Sequence, residues 1–209
     1  MPLAHSRLTA QGQISVPSEI RRKLGVGPGS VLEWDEKNEE VIVRKAGQHT
    51  LADVHDALFP DDNPKRQVLT SVKDGISGTS VENMHGVDTN VLVRLLVRDD
   101  ARQATAAETF VAKGAWVSTL VLAETLWVLD AVYQRSPAQI ANAVALMLHH
   151  KDLTLQDADV IALALTHFRA RPSLGFSDCL VLEIARKAGH LPLGTFDRNL
   201  GKLDGAHRL

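Results

Sequence analysis

One cysteine among 209 residues excludes an intrachain disulfide, so no covalent staple compensates for a small core. Cys179 sits in a hydrophobic run and reads as a buried small apolar residue, not a reactive thiol. Charge of either sign is also not in excess. The net charge is −2, so there is no global basic field for nucleic acid, and any such contact must come from a local patch. No apolar run approaches the roughly 20 residues of a membrane span, and the start MPLAHSRLTAQGQ has no apolar signal core. A cytoplasmic protein is expected. Tandem repeats are missing too.

What remains is an ordinary globular composition, 44% hydrophobic and 23% charged, in a chain long enough for one large domain or two small ones. Divided before Met84, it carries 10 Lys+Arg against 12 Asp+Glu upstream and 13 against 13 downstream. The local exception is the first 32 residues, where Arg7, Arg21, Arg22 and Lys23 face only Glu19.

Three pieces follow from the patterning. Ser6–Arg44 is β-rich: Gln13–Val16 alternates, Pro17–Leu24 reads as a short helical turn, and Gly25–Gly29 is broken by glycine and proline. Val31–Trp34 and Val41–Val43 read as a hairpin joined through the polar Asp35–Glu40. So few apolar groups cannot close a core alone, which implies obligate dimerisation. Gln48–Asn83 holds one amphipathic helix (Leu51, Val54, Leu58, Phe59) and a periodic segment around Val68, Leu69 and Val72. A small-residue stretch, Gly75–Ser80, ends it. This piece has little to fold around and is expected to stay flexible or lie along a partner surface. Met84–Leu209 alternates short apolar strands with helical periodicity, the pattern of an α/β fold with a parallel sheet flanked by helices.

Four carboxylates in the third piece resist a structural explanation. Asp88 and Asp197 each follow a strand-like run, where ligands of open α/β sheets bind. Asp178 follows Ser177, read as the N-cap of a helix over Cys179–Ala188. Glu124 interrupts Leu120–Leu129, a helix apolar almost all round and therefore expected to be buried. If all four lay within about 5 Å, each pair would repel by roughly 3 kcal/mol at an effective dielectric of about 20. Such a cluster must share protons or hold a hard cation such as Mg²⁺ or Mn²⁺. The matching chemistry is phosphodiester hydrolysis.

The segment His85-Gly86-Val87-Asp88-Thr89-Asn90 resembles the opening of VapC-type PIN-domain toxins. Glu124, Phe176-Ser177-Asp178-Cys179 and Thr195-Phe196-Asp197-Arg198-Asn199 follow in family order. The resemblance implies a Mg²⁺-dependent endoribonuclease acting on structured, tRNA-like RNA. Asp88, Glu124, Asp178 and Asp197 would be its metal-binding catalytic acids, with Asn90 and Thr195 in support. Many relatives carry a further acid where Gly175 stands, so the metal site is expected to be thinner here. Glu183, about 140° round the helix from Asp178, is left out.

Thr9-Ala10-Gln11-Gly12-Gln13-Ile14-Ser15-Val16-Pro17 and the following Ser18–Val26 resemble the swapped-hairpin AbrB/MazE-type DNA-binding domain. That likeness implies an interleaved homodimer or higher homo-oligomer that binds its own operator DNA. Arg7, Gln11, Gln13, Arg21, Arg22 and Lys23 are the candidates for phosphate and base contacts. The chain then divides into residues 1–47 for DNA binding and dimerisation, 48–83 as an antitoxin tail that wraps the toxin, and 84–209 as the PIN ribonuclease. Phe59 would anchor the tail, and Lys65, Arg66 or Lys73 would enter the acidic site. The alternative is a DNA-binding repressor whose PIN unit is a catalytically silent assembly module.

Overall fold

The computed structural model describes residues 4–24, 26, 31–37, 40–47, 49–61 and 84–209. The segment around Val68–Val72, the Gly75–Ser80 stretch, and Lys65, Arg66 and Lys73 lie outside them.

In the N-terminal unit, Gln13–Val16 forms no strand of its own. A single antiparallel bridge joins Leu8 to Ile14 around a tight turn, closed by Thr9 N donating to Gln13 O at 2.8 Å. Gly12 takes φ +76° in that turn, a conformation that favours glycine. Helix α1 (Ser18–Leu24) follows, then strands β1 (Leu32–Lys37) and β2 (Glu40–Lys45), paired antiparallel with Trp34 opposite Val43. Within one chain this unit hides almost nothing. Leu8, Trp34 and Val41 are more than half exposed, and Val26 is its one buried apolar residue among those described.

Helix α2 (Leu51–Leu58) is the amphipathic helix of the middle piece. A capping box holds its start: Thr50 N donates to Asp53 Oδ2 at 2.6 Å, and Asp53 N to Thr50 Oγ1. Val54 and Leu58 are fully buried and belong to the same core as the C-terminal unit. The terminal carbonyl of Leu58 accepts from Arg135 Nη1 at 3.1 Å and Gln139 Nε2 at 2.8 Å, so that helix end is satisfied from the C-terminal unit.

The C-terminal unit is α/β. Strands β3 (His85–Gly86), β4 (Ala115–Val117) and β5 (Leu153–Leu155) make a parallel sheet in that order. Around it run α3 (Thr89–Val97), α4 (Ala101–Val111), α5 (Thr119–Ala131), α6 (Pro137–Leu148), α7 (Ala158–Ala170) and α8 (Phe176–Ala188). Strands β6 (Leu193–Thr195) and β7 (Ala206–Arg208) form a second parallel pair. Leu92, Leu95, Leu96, Leu122, Leu129 and Met147 are among the fully buried side chains. Cys179 is buried as expected, and burial pushes its thiol up to about 11.

Two readings of the sequence need correction. Helix α5 is not buried all round: Leu122, Thr125, Leu126 and Leu129 point inward, while Leu120 and Trp127 are 75% and 66% exposed. The helix thus carries exposed apolar side chains on its outer side. Helix α8 begins at Phe176, not Cys179, with Gly175 in place of Ser177 as N-cap, so Asp178 lies within its first turn.

Candidate metal centre and nucleic-acid surface

Asp88 caps α3, its Oδ1 accepting from Val91 N at 2.8 Å, which fixes the carboxylate at the carboxyl end of β3. The next residue, Thr89, donates through Oγ1 to Glu124 Oε2 at 2.5 Å. This bond ties the head of α3 to the outer side of α5. Glu124 is therefore exposed and hydrogen-bonded, where the all-apolar pattern had placed it in the interior. Asn90 is exposed in the first turn of α3.

Asp178 is half-buried, its Oδ2 accepting from Gly175 N at 3.3 Å. A β-carbon at Gly175 would stand 3.0 Å from that oxygen, so a larger residue would crowd the carboxylate. Asp197 is exposed. Its Oδ1 accepts from Leu200 N and Asn199 N, each at 2.7 Å, and these two amides hold the carboxyl below the usual carboxylate range. Thr195 Oγ1 accepts from Asp197 N at 3.0 Å and fixes the turn after β6.

None of these four acids forms a salt bridge with Lys, Arg or His among the described residues, although Lys202 adds to the lowering at Asp197. Other acids of the unit do. Lys187 bridges Asp157 and Asp159, and Arg94 binds Asp99. Glu183, only 2% exposed, is held by His167 Nε2 at 3.0 Å and Arg186 Nε at 3.2 Å, which accounts for it outside any metal site. The four acids do not converge as one cluster: no three His, Cys, Asp or Glu among the described residues are placed to share an ion. Asp88 and Glu124 are linked through Thr89, while Asp178 lies on α8 and Asp197 follows the separate β6–β7 pair. The donors fit a hard divalent cation in kind. Mg²⁺ commonly takes one or two carboxylates and keeps its remaining positions for water and substrate.

Thr89 is the residue that the sequence reading missed as a site residue. Its signal was its place, directly after an N-cap carboxylate that ends a strand.

On the N-terminal unit, Arg7, Gln11, Gln13, Arg21, Arg22 and Lys23 are all exposed. The link between units is tight. His49 pairs in parallel with His150, with His49 N donating to His149 O at 3.3 Å and Lys151 N to His49 O at 3.0 Å. His150 is buried, and its Nδ1 accepts from Asp152 N and Leu153 N. Burial, with Lys45 and Lys151 nearby, pushes its imidazole down to about 4. Phe59 is half-buried, stacked on His55 at 5.0 Å between ring centroids, with the Arg135 guanidinium 4.7 Å from its ring centre.

With this geometry in view, comparison with known families is direct. The family model described as PIN domain matches residues 87–206, more than half of the chain. The chain belongs to the PIN-domain family. A second model, described as antidote-toxin recognition MazE, bacterial antitoxin, matches residues 6–50. One polypeptide thus carries an antitoxin unit and a PIN domain. Searches of curated proteins and of solved structures found no match.

Proposed function

We propose that this chain is a metal-dependent endoribonuclease held in check by the antitoxin segment of the same polypeptide, whose N-terminal unit dimerises and binds operator DNA. The observation that carries the enzymatic part is the Thr89–Glu124 hydrogen bond beside the Asp88 cap, at a strand end and free of cationic partners among the described residues. Ligands for Mg²⁺ or Mn²⁺ would be drawn from Asp88, Glu124, Asp178 and Asp197, one or two carboxylates at a time, with water and substrate in the other positions. When bound, such an ion neutralises phosphodiester charge and makes its bound water a nucleophile at neutral pH. Thr89 holds Glu124 in one rotamer, the amides of Asn199 and Leu200 keep Asp197 in its charged form, and Asn90 and Thr195 would support that site. Helix α2 anchors the antitoxin through Val54, Leu58 and Phe59. A tether in the same chain raises the inhibitor's effective concentration well above that of a separate protein.

The test is cleavage of a tRNA-like substrate in Mg²⁺ by the intact chain and by residues 84–209. The shorter piece should be the more active, and Asp88→Asn should lower its rate by at least ~100-fold. A second reading has one observation in its favour, the acids' failure to gather into one group. On that reading the PIN unit is a silent assembly module of a repressor. Operator binding by gel shift, with no cleavage by either piece, would favour it.

A further inference from the structure

A cleft of about 610 Å³ opens between α1 and the carboxyl ends of β4 and β5. Its PIN-side wall holds Trp116, which is 40% exposed, and Gln156, whose Oε1 is held by Thr119 N at 3.1 Å. Lys187, Asp157 and Asp159 also line it, and the lysine bridges the two acids at 2.6 and 2.9 Å, which leaves this wall with one negative charge in excess. The opposite wall carries Arg21 and Arg22, both exposed and without an acidic partner among the described residues. Residues 84–209 have no basic excess of their own, with 13 basic against 13 acidic side chains. Across the cleft Arg21, Arg22 and Lys187 stand against Asp157 and Asp159, so its positive excess depends on the two arginines of the N-terminal unit.

We infer that this cleft is a binding groove for single-stranded RNA, with a base against the Trp116 ring and backbone phosphates on Arg21 and Arg22. The inference rests on the reading of the chain as a ribonuclease. An exposed indole offers a stacking platform to an unpaired base, which a duplex does not present, and guanidinium groups suit phosphate oxygens. The antitoxin's basic helix would thereby form one wall of an RNA-binding groove of the intact chain, a role separate from DNA contact; residues 84–209 keep only the Trp116 wall and should bind the RNA more weakly even where they cleave it faster.

The test is fluorescence anisotropy of a labelled eight-nucleotide RNA with the full chain in EDTA, where no cleavage occurs, beside a duplex DNA of the same length. Trp116→Leu should weaken RNA binding about tenfold and leave duplex binding unchanged, while Trp116→Phe should keep most of the affinity. The double variant Arg21→Ala/Arg22→Ala should make the slope of log affinity against log salt shallower by about 1.4 for the RNA. Parent-like RNA binding by Trp116→Leu, or by the double arginine variant, overturns the groove. So does an equal loss for RNA and duplex in Trp116→Leu. RNA binding that depends on these residues without any cleavage in Mg²⁺ sinks the nuclease reading and leaves the groove standing.

Discussion

Thr89 and Arg186 show how single side chains divide the acids of the C-terminal unit into two kinds. Thr89 presents a hydroxyl to Glu124 and leaves that carboxylate without a cation. Arg186 does the reverse for Glu183, reaching it through Nε while its Nη2 donates to Asp204 O at 2.6 Å, which ties α8 to the turn before β7. Thr89→Val should therefore lower apparent Mg²⁺ affinity in RNA cleavage by about 10- to 100-fold, and Thr89→Ser should restore it; metal titrations of the cleavage rate would check both. Arg186→Met should leave cleavage chemistry intact per folded molecule but lower stability by about 3 kcal/mol in denaturant unfolding, because Glu183 stays buried with only His167. At this scale the sequence was informative about identity and misleading about surroundings. Glu124 stood out because its neighbours are apolar, yet Leu120 and Trp127 beside it face outward. Apolar residues on an uncovered face look the same in sequence as apolar residues in a core.

At the scale of elements, α2 and the strand-like residues before it are where one unit becomes part of the other. Leu58 is fully buried in the shared core, so Leu58→Ala should destabilise the chain by about 2–5 kcal/mol, read from thermal or urea unfolding. Gly47 lies so close to Lys151 that a β-carbon would overlap its backbone, and Gly47→Ala should loosen the junction without touching the acids. The junction should also weaken in acid. His150 folds with its pKa at about 4, below the ordinary imidazole value, so between about pH 6.5 and 4 the unfolded chain takes up the proton first. Stability should fall across that window by up to ~3 kcal/mol, and His150→Leu should flatten the Tm–pH curve there. Helix α2 could be read from its spacing of Leu51, Val54 and Leu58. Helix α4 could not, because its inward residues are Ala104, Ala107 and Val111, and alanine carries little hydrophobic contrast. Strand β7 could not either: Ala206-His207-Arg208 lacks the apolar residues that mark the equally short β4 and β5.

For the whole molecule, both ends were identifiable from short motifs, and the order of antitoxin unit and PIN domain followed from them. What sequence could not convey is how the pieces meet, since Arg21 and Arg22 come to face Trp116 only through folding. The exposed Leu8, Trp34 and Val41 agree with an N-terminal unit that completes its core with a second copy, and sedimentation at micromolar concentration should find a dimer or larger assembly. The most direct measurement on the account as a whole compares RNA cleavage in Mg²⁺ by the intact chain and by residues 84–209 that show a cooperative melt. A nuclease restrained by its own antitoxin predicts weak cleavage by the first, strong cleavage by the second, and loss of that activity with Asp88→Asn. A folded 84–209 piece that leaves RNA intact in both Mg²⁺ and Mn²⁺ would contradict it.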